Sequence, residues 1–220
     1  MNYKIFLTLT VAFLFALNSD MAVAASFQNG NFDTGDFSGW SGEISDRTTF
    51  QNVDPNQSTY FNLIHTPDPN FLWIAEISLD DTYWLNTLYQ NFTLDNLPPA
   101  NRMTLTFWVN WLPTDSDQDY VSITLEDANG NRSIDLLDGV QNSDLLNGTW
   151  ITQDITDFAA SYGGQDVELA FSISDMDFKV GDTLAIDNIS IETNPVPLPS
   201  SLLFLAPALG MIGLFKKRQQ

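Results

Sequence analysis

Hydrophobic and polar residues alternate along three stretches in the second half of the chain. Every second residue is apolar in residues 103–110, 121–126 and 167–173. A period of two residues is typical of a β-strand that buries one of its faces. An Asn-Gly turn sequence at residues 128–131 follows the second stretch. The pattern therefore predicts three half-buried strands, the second of which begins a hairpin.

The last apolar stretch changes its parity. Leu184 and Ile186 would face one side of a strand, whereas Ile189 and Ile191 would face the other. A β-bulge inserts one extra residue into a strand and so reverses the orientation of the residues after it. The sequence predicts a bulge at residues 187–188 that brings both pairs to the core.

The first half of the chain is less regular. The stretch 41–70 is polar, with Phe50 and residues 60–64 as its likely strand pieces. Residues 71–77 and 88–94 are further candidate strands. The run 29–40 has three glycines, which mark tight turns. Its three aromatic residues are candidate core anchors: Phe32, Phe37 and Trp40.

Many short strands separated by turn signals predict an all-β fold, an antiparallel β-sandwich, for residues 26–194. Within this range no segment longer than about ten residues has helical spacing of apolar residues. Residues 155–160 fit one short helical turn. The range has the size of one domain, and the chain has no cysteine, so the core must hold the fold without disulfides.

The charge of this domain limits its partners. Residues 26–194 hold 27 acidic side chains and four basic ones, which gives a net charge of −23. Nucleic acid is a poor partner for such an acidic surface, because contacts to phosphate favour Lys or Arg, and we expect no nucleic-acid binding. A divalent cation is a favourable partner for such a surface.

The two ends of the chain look like targeting segments. Residues 1–25 contain Lys4, a 13-residue apolar core at 5–17 and an Ala-Val-Ala cleavage pattern at 22–24. This order predicts a signal peptide, and the core is too short for the alternative, an N-terminal transmembrane helix.

Residues 195–220 have a second apolar segment. Val196, Pro197, Leu198 and Pro199 precede an apolar run at 202–215, and Lys216, Lys217 and Arg218 follow it. The run has 14 residues and contains Pro207, so it is short for a membrane span, which needs about 20. The basic cluster would stay on the cytoplasmic side.

This order of proline motif, apolar helix and basic end resembles a PEP-CTERM sorting signal. The resemblance implies an exosortase-type membrane protease as partner, a membrane-anchored precursor and, in a Gram-negative bacterium, a passenger delivered to the cell surface or the extracellular matrix. The alternative is an ordinary single-pass tail anchor.

Three short motifs resemble a carbohydrate-binding-module-type, galactose-binding-like jelly roll. They are Asn-Gly-Asn-Phe-Asp-Thr-Gly at 29–35, Leu-Tyr-Gln-Asn-Phe-Thr at 88–93 and Ala-Ile-Asp-Asn-Ile-Ser-Ile at 185–191. In that family a structural calcium often joins the first strand to the last, and the matching positions are Asp33 and Asp187. The alternative for Asp187 is a carboxylate that accepts hydrogen bonds at the bulge. The acidic run 115–119 has calcium-like alternation, but an ordinary solvated loop explains it better.

Aromatic side chains on an outer face are candidate sugar-binding residues. Trp108 and Asn110 point away from the core side of their strand, and Tyr120 points away from Val121. If the two strands are neighbours, the two rings and Asn110 share one outer face, which suits the apolar face of a sugar. In the alternative, the segment before Pro98 covers Trp108. Trp73, Tyr83 and Trp84 are lesser candidates.

Catalysis has little support in the sequence. His65 is the one histidine, no cysteine is present, and no Gly-x-Ser-x-Gly motif occurs. We therefore expect no enzyme. The sequence predicts an exported surface or matrix protein whose β-sandwich binds carbohydrate. The alternatives are a structural or adhesive surface protein without glycan binding and, less favoured, a polysaccharide-active hydrolase.

Overall fold

The computed structural model describes residues 27–80, 82–114, 119–176 and 181–196. These ranges form eleven strands and two short helices. The strands are β1 (Ser41–Ser45), β2 (Phe50–Val53), β3 (Phe61–His65), β4 (Trp73–Ser78), β5 (Leu85–Thr93), β6 (Asn101–Leu112), β7 (Tyr120–Asp127), β8 (Ser133–Asp135), β9 (Thr149–Asp154), β10 (Asp166–Ser174) and β11 (Thr183–Pro195). The helices are α1 (Asn142–Leu145), which follows β8, and α2 (Thr156–Tyr162), which follows β9.

The strands form two antiparallel sheets. The six-stranded sheet has the order β2-β1-β5-β10-β7-β8, and the five-stranded sheet has the order β3-β4-β11-β6-β9. The inner faces meet in one core, where Phe107 of β6 contacts Phe171 of β10 with ring centroids 5.5 Å apart. The molecule is an antiparallel β-sandwich of the jelly-roll class, as predicted.

The alternation in the sequence identifies the core. In β6, β7 and β10 the apolar residues at every second position are buried or half-buried, and the residues between them point to the outer face of their sheet. The turn after β7 leads into β8, which pairs with it, so the predicted hairpin is confirmed. Side chains of this kind stabilise the fold by about 1.5–3 kcal/mol each when they leave water.

The predicted bulge in β11 is also confirmed. The register between β11 and β6 shifts between Asp187 and Ser190. Ile186 before the shift and Ile189 after it are both buried. Asn188 within the bulge has φ of 53°, a left-handed conformation that Asn tolerates better than most residues.

The opening segment ties the two sheets together. Phe32, Phe37 and Trp40 are buried in the core, as predicted. The Ile189 amide donates to the Gly30 carbonyl at 2.9 Å. A Cβ at Gly30 would lie 2.1 Å from the Ile189 oxygen, so this approach needs glycine.

The structure contradicts one assumption about strand neighbours. β6 and β7 follow one another in the chain, but β6 belongs to the five-stranded sheet and β7 to the six-stranded sheet. Trp108 and Tyr120 therefore lie on opposite outer faces of the sandwich, and the predicted shared face is wrong. Periodicity fixes which way a side chain points, but the partner of a strand depends on long-range packing.

Two strands, β1 and β9, were not predicted. Both are short, and each places few large apolar side chains in the core. β2 begins at Phe50, which was predicted as a likely strand piece. The predicted signal peptide at 1–25 lies outside the described residues. So do most residues of the predicted sorting segment: Pro197, Leu198, Pro199, Lys216, Lys217 and Arg218. Within the described ranges, no helix has the length and apolar character to cross a membrane.

Candidate functional site

The outer face of the five-stranded sheet carries an ordered array of aromatic and polar side chains. The registers place Trp108 of β6 between Asp187 of β11 and Trp150 of β9. The next outward row contains Ser190, Thr106 and Thr152. The hydroxyls of Thr106 and Thr152 form a hydrogen bond of 3.1 Å.

A loop adds a third ring to this array. Phe71, in the loop between β3 and β4, lies 5.0 Å from Trp108 and 6.1 Å from Trp150 between ring centroids. We call the surface formed by Phe71, Trp108 and Trp150 the aromatic face. Aromatic rings in such offset contacts stabilise one another by about 0.5–1.5 kcal/mol beyond their buried area.

The rings of the aromatic face differ in accessibility. The Phe71 ring lies against Trp108. Gly148 packs against the six-membered ring of Trp108, since a Cβ at Gly148 would come within 2.7 Å of Trp108 Cζ2. Phe71 precedes Pro98 and Gly148 follows it, so Trp108 is half-buried by residues from two parts of the chain. Trp150 is 53% exposed and is the accessible ring.

A cleft of about 480 Å³ opens beside Trp150. Its walls come from the opening segment, β9 and the bulge of β11. The lining residues are Phe27, Gly30, Asn31, Trp150, Asn188, Ile189, Ser190 and Ile191. The cleft thus combines one exposed ring with polar side chains.

Asp187 and Asn188 fix the geometry at the floor of this region. The Asn188 amide donates to Asp187 Oδ1 at 2.6 Å, and Asn188 Nδ2 donates to Asp187 Oδ2 at 3.2 Å. Asn188 Nδ2 also donates to the Asn70 carbonyl at 2.8 Å. The bulge is therefore bonded to the loop that carries Phe71. The alternative interpretation of Asp187, a carboxylate that accepts hydrogen bonds at the bulge, describes these contacts.

The electrostatic setting of Asp187 is unfavourable for a lone carboxylate. It is 1% exposed. Burial raises its pKa from 3.8 to about 7, the backbone hydrogen bond from Asn188 lowers the pKa, and the negative charge of Asp33 raises it. Asp33 itself is exposed and accepts from Asn31 Nδ2 at 2.6 Å.

This pair of carboxylates has some features of a calcium site. A cation beside Asp187 and Asp33 would offset the charge that burial penalises. Calcium needs six to eight oxygen ligands, and carbonyls or water would have to complete the set. Among the described residues, no group of three or more His, Cys, Asp or Glu side chains lies together in a way that could hold a metal ion. Calcium at Asp33 and Asp187 stays a prediction.

The other predicted residues lie apart from the cleft. Asn110 faces outward on β6, and its Oδ1 is buried without a hydrogen bond in the described structure. Tyr120 is 62% exposed on the six-stranded sheet. His65 ends β3 and packs against Trp73 at 4.8 Å. Asp119, the described end of the acidic run, is buried and accepts from the Met176 amide at 3.0 Å.

The outer face of the six-stranded sheet has a different composition. Glu43, Glu126 and Glu168 face outward on β1, β7 and β10, and we call this surface the acidic face. Desolvation raises the pKa of Glu168, a hydrogen bond with Asn91 lowers it, and the charges of Glu126 and Glu43 raise it. Desolvation also raises the pKa of Glu43.

Trp150 and Phe71 are the two rings of the aromatic face that the sequence did not reveal as candidates. A weak signal was present, because Trp150 and Thr152 alternate with the buried Ile151. The partner of β9 was the missing information, since Trp150 becomes part of a site only through its pairing with Trp108.

Comparisons with known proteins concern the fold. No protein-family profile matches the chain, and a search of curated proteins also gave no match. Among solved structures, the chain is similar to TmCBM61 in complex with β-1,4-galactotriose, with 17% identity, coverage of 76% of this chain and 97% of that one, and a TM-score of 0.49. It is also similar to the xylan-binding module CBM15 (11% identity, 81% and 100% coverage, TM-score 0.44) and to a Stig cyclase from Fischerella sp. TAU (15% identity, 80% and 100% coverage, TM-score 0.45). At these identities and TM-scores, the likenesses carry no function over to this chain.

Proposed function

We propose that this domain binds carbohydrate on the aromatic face, with Trp150 as the ring that stacks against a sugar. The observation that supports the proposal is the half-exposed Trp150, held beside two other aromatic rings at the mouth of a cleft. An aromatic ring with one free side suits the apolar face of a pyranose. The cleft volume of about 480 Å³ is within the range of small-ligand sites, roughly 300–1,000 Å³.

The surroundings of Trp150 supply the polar contacts that a sugar needs. Asn31, Asn188 and Ser190 line the cleft, and the hydroxyls of Thr106 and Thr152 lie in the row beside it. A few polar groups around an apolar surface fix the orientation of a bound ligand. We propose binding without turnover, so a bound glycan should be recovered at its original chain length.

The proposal includes the cellular location of the protein, which is inferred from the predicted targeting segments at residues 1–25 and 195–220. The chain is exported, an exosortase-type protease removes the tail near residues 197–200, and the domain acts at the cell surface or in an extracellular polysaccharide matrix. Intact-mass analysis of the mature protein tests this, because it reports both termini at once. A mature protein that keeps Lys216, Lys217 and Arg218 would support the plain tail anchor instead.

A glycan array with two matched variants tests the binding proposal. Trp150→Ala removes the exposed ring of the aromatic face, and Tyr120→Ala removes a ring of similar exposure from the opposite sheet. Loss of a central aromatic contact costs at least about 2 kcal/mol, so Trp150→Ala should weaken glycan binding about 30-fold or more. Tyr120→Ala should bind as the wild type does.

Two outcomes would contradict the proposal. If no glycan binds, the structural or adhesive alternative replaces it. If Tyr120→Ala loses affinity and Trp150→Ala keeps it, the site lies on the six-stranded sheet.

A further inference from the structure

We infer that the cleft beside Trp150 presents mainly hydrogen-bond acceptors, and that it therefore selects uncharged or amino-bearing sugars and rejects polyanionic ones, with Asn188 as a specificity-determining residue. This inference rests on the proposed function and names the ligand class of the same site.

The first argument is the hydrogen-bond capacity of Asn188. A carboxamide has two N–H donors and one oxygen acceptor. Asn188 Nδ2 already donates to the Asn70 carbonyl at 2.8 Å and to Asp187 Oδ2 at 3.2 Å. The donors are thus committed to the protein, and Oδ1 is the part of the side chain left for a ligand. It requires a hydroxyl or amino group as its partner.

The neighbouring polar groups differ in what they leave for a ligand. The Ile189 amide is occupied, because it donates to the Gly30 carbonyl at 2.9 Å. Asn31 keeps one of its two N–H groups, since Nδ2 donates to Asp33 Oδ2 at 2.6 Å and Oδ1 accepts from the Asp33 amide at 3.4 Å. Ser190 can donate or accept, since a hydroxyl does both. The acceptor bias of the cleft therefore rests on Asn188 and on the charge around the cleft.

The charge around the cleft also disfavours anionic ligands. The described part of the chain has three basic residues, Arg47, Arg102 and Arg132, and none of them lines the cleft. Two carboxylates lie directly behind the lining, because Asp33 accepts from Asn31 Nδ2 at 2.6 Å and Asp187 accepts from the Asn188 amide at 2.6 Å. A carboxylate or sulfate on a ligand would meet acceptors and negative charge, and both interactions oppose binding.

The test begins with an array of neutral, amino-bearing and polyanionic glycans, read in EDTA. The glycans whose binding depends on Trp150 should be neutral or amino-bearing. The tightest of them is then partly O-methylated, which removes hydroxyl donors and keeps the oxygen acceptors. Methylation should weaken binding at least tenfold. A second reading in calcium identifies any polyanion that binds only through a bridging ion.

Asn188→Gly tests the residue itself. Glycine accepts the left-handed backbone at this position, so the variant removes the carboxamide without imposing a strained φ. Affinity for the neutral glycan should fall about five- to tenfold. The penalty of methylation should also become smaller, which a purely structural role of Asn188 would not produce. Thr104→Ala, in an outward row of β6 away from the cleft, is the matched control and should change neither value.

The outcomes separate the two proposals. Trp150-dependent binding of a polyanion in EDTA, or an unchanged methylation penalty in Asn188→Gly, overturns this inference and leaves carbohydrate binding in place. Absence of binding to every glycan overturns the proposed function, and the inference falls with it.

Discussion

The two outer faces of the sandwich come from the same strand alternation but have different chemistry. The aromatic face has three rings, and the β3–β4 loop and the β11 bulge build part of it. The acidic face is made by outward side chains of β1, β7 and β10, with three glutamates among them. The strands thus provide two flat surfaces, and added loops turn one of them into a site with a cleft.

The acidic residues on the two sides of the sandwich also differ in their burial and in the causes of their raised pKa values. Asp187 is almost fully buried, next to Asp33, and has a pKa raised to about 7. Glu168 is only half-buried, and its pKa is raised by desolvation and by two other glutamates. Solvent can screen the charge on the acidic face, whereas the charged form of the buried Asp187 costs free energy unless the carboxyl group is protonated or a cation binds beside it.

The largest expected effect is that of Asp187→Asn on stability in calcium-free buffer. The folded-state pKa of about 7 exceeds the ordinary value of 3.8, so the folded protein loses stability as pH rises between these values. The cost is complete above pH 7 and is about 4 kcal/mol. Asp187→Asn should remove most of it, less about 1 kcal/mol for the lost hydrogen bond with Asn188 Nδ2. Urea unfolding at pH 4 and pH 8 measures this difference.

Glu168→Gln is the control on the acidic face and should change stability less at pH 8. A wild type whose stability does not fall from pH 4 to pH 8, with no gain in Asp187→Asn, would show that burial of the charged Asp187 does not destabilise the fold.

The second effect is that of calcium on the aromatic side of the sandwich. An ion that binds only the folded state at a hundredfold excess over Kd raises stability by about 2.7 kcal/mol. For a domain of this size the midpoint should rise by about 5–10 °C. Sodium at matched ionic strength should reproduce only the screening of the acidic surface. An equal response to calcium in the wild type and in Asp187→Asn would place any bound ion elsewhere.

The third effect compares two turn glycines. Gly148 and Gly130 have φ of 71° and 66°, so alanine costs about 1 kcal/mol at either position. A Cβ at Gly148 meets Trp108 at 2.7 Å, whereas a Cβ at Gly130 has nothing within 4 Å. Gly148→Ala should therefore cost about 2 kcal/mol, change the near-ultraviolet circular dichroism of the tryptophans and weaken glycan binding. Equal costs with unchanged spectra in both variants would mean that Gly148 does not hold Trp108 in place.

The smallest effect is expected on the acidic face. Glu168→Gln should change the affinity for a neutral glycan by less than about twofold, because Glu168 lies on the opposite sheet from Trp150. Isothermal titration at two salt concentrations measures it. A large loss of affinity would show that the two faces do not act separately.

The sequence predicted the fold class well because long strands have a strong period. β6, β10 and β11 together supply much of the core, and their apolar spacing, including the bulge, was readable. β1 and β9 could not be recognised in the sequence, since they have five and six residues and few buried apolar side chains. A short strand is stabilised mainly by hydrogen bonds to the neighbouring strands of its sheet. β5, which pairs with β1, and β6, which pairs with β9, are distant in sequence, so the local residue pattern does not predict these two short strands.

The candidate site was predictable only in part. Trp108 was correctly placed facing outward, but Phe71 and Gly148, which lie against it, were not identified. The neighbours of Trp108 depend on register, so Trp150 was missed and Tyr120 was assigned to the wrong face. The resemblance to the jelly-roll family predicted that Asp33 and Asp187 lie close together. In the structure the charge of Asp33 raises the pKa of Asp187, so the two carboxylates are near one another.

The central position of β11 has a mechanical consequence. β11 lies between β4 and β6 and also bonds to the opening segment through Gly30. A tether attached beyond residue 196 would transmit tension first into this strand. Trp150 lies on β9, only one strand beyond β6, so a pull between an immobilised sugar polymer and a tether would pass through three adjacent strands. The six-stranded sheet would carry little of that load. The β6–β9 ladder is shorter than the β6–β11 ladder, so the pairing next to Trp150 is the weaker part of this path.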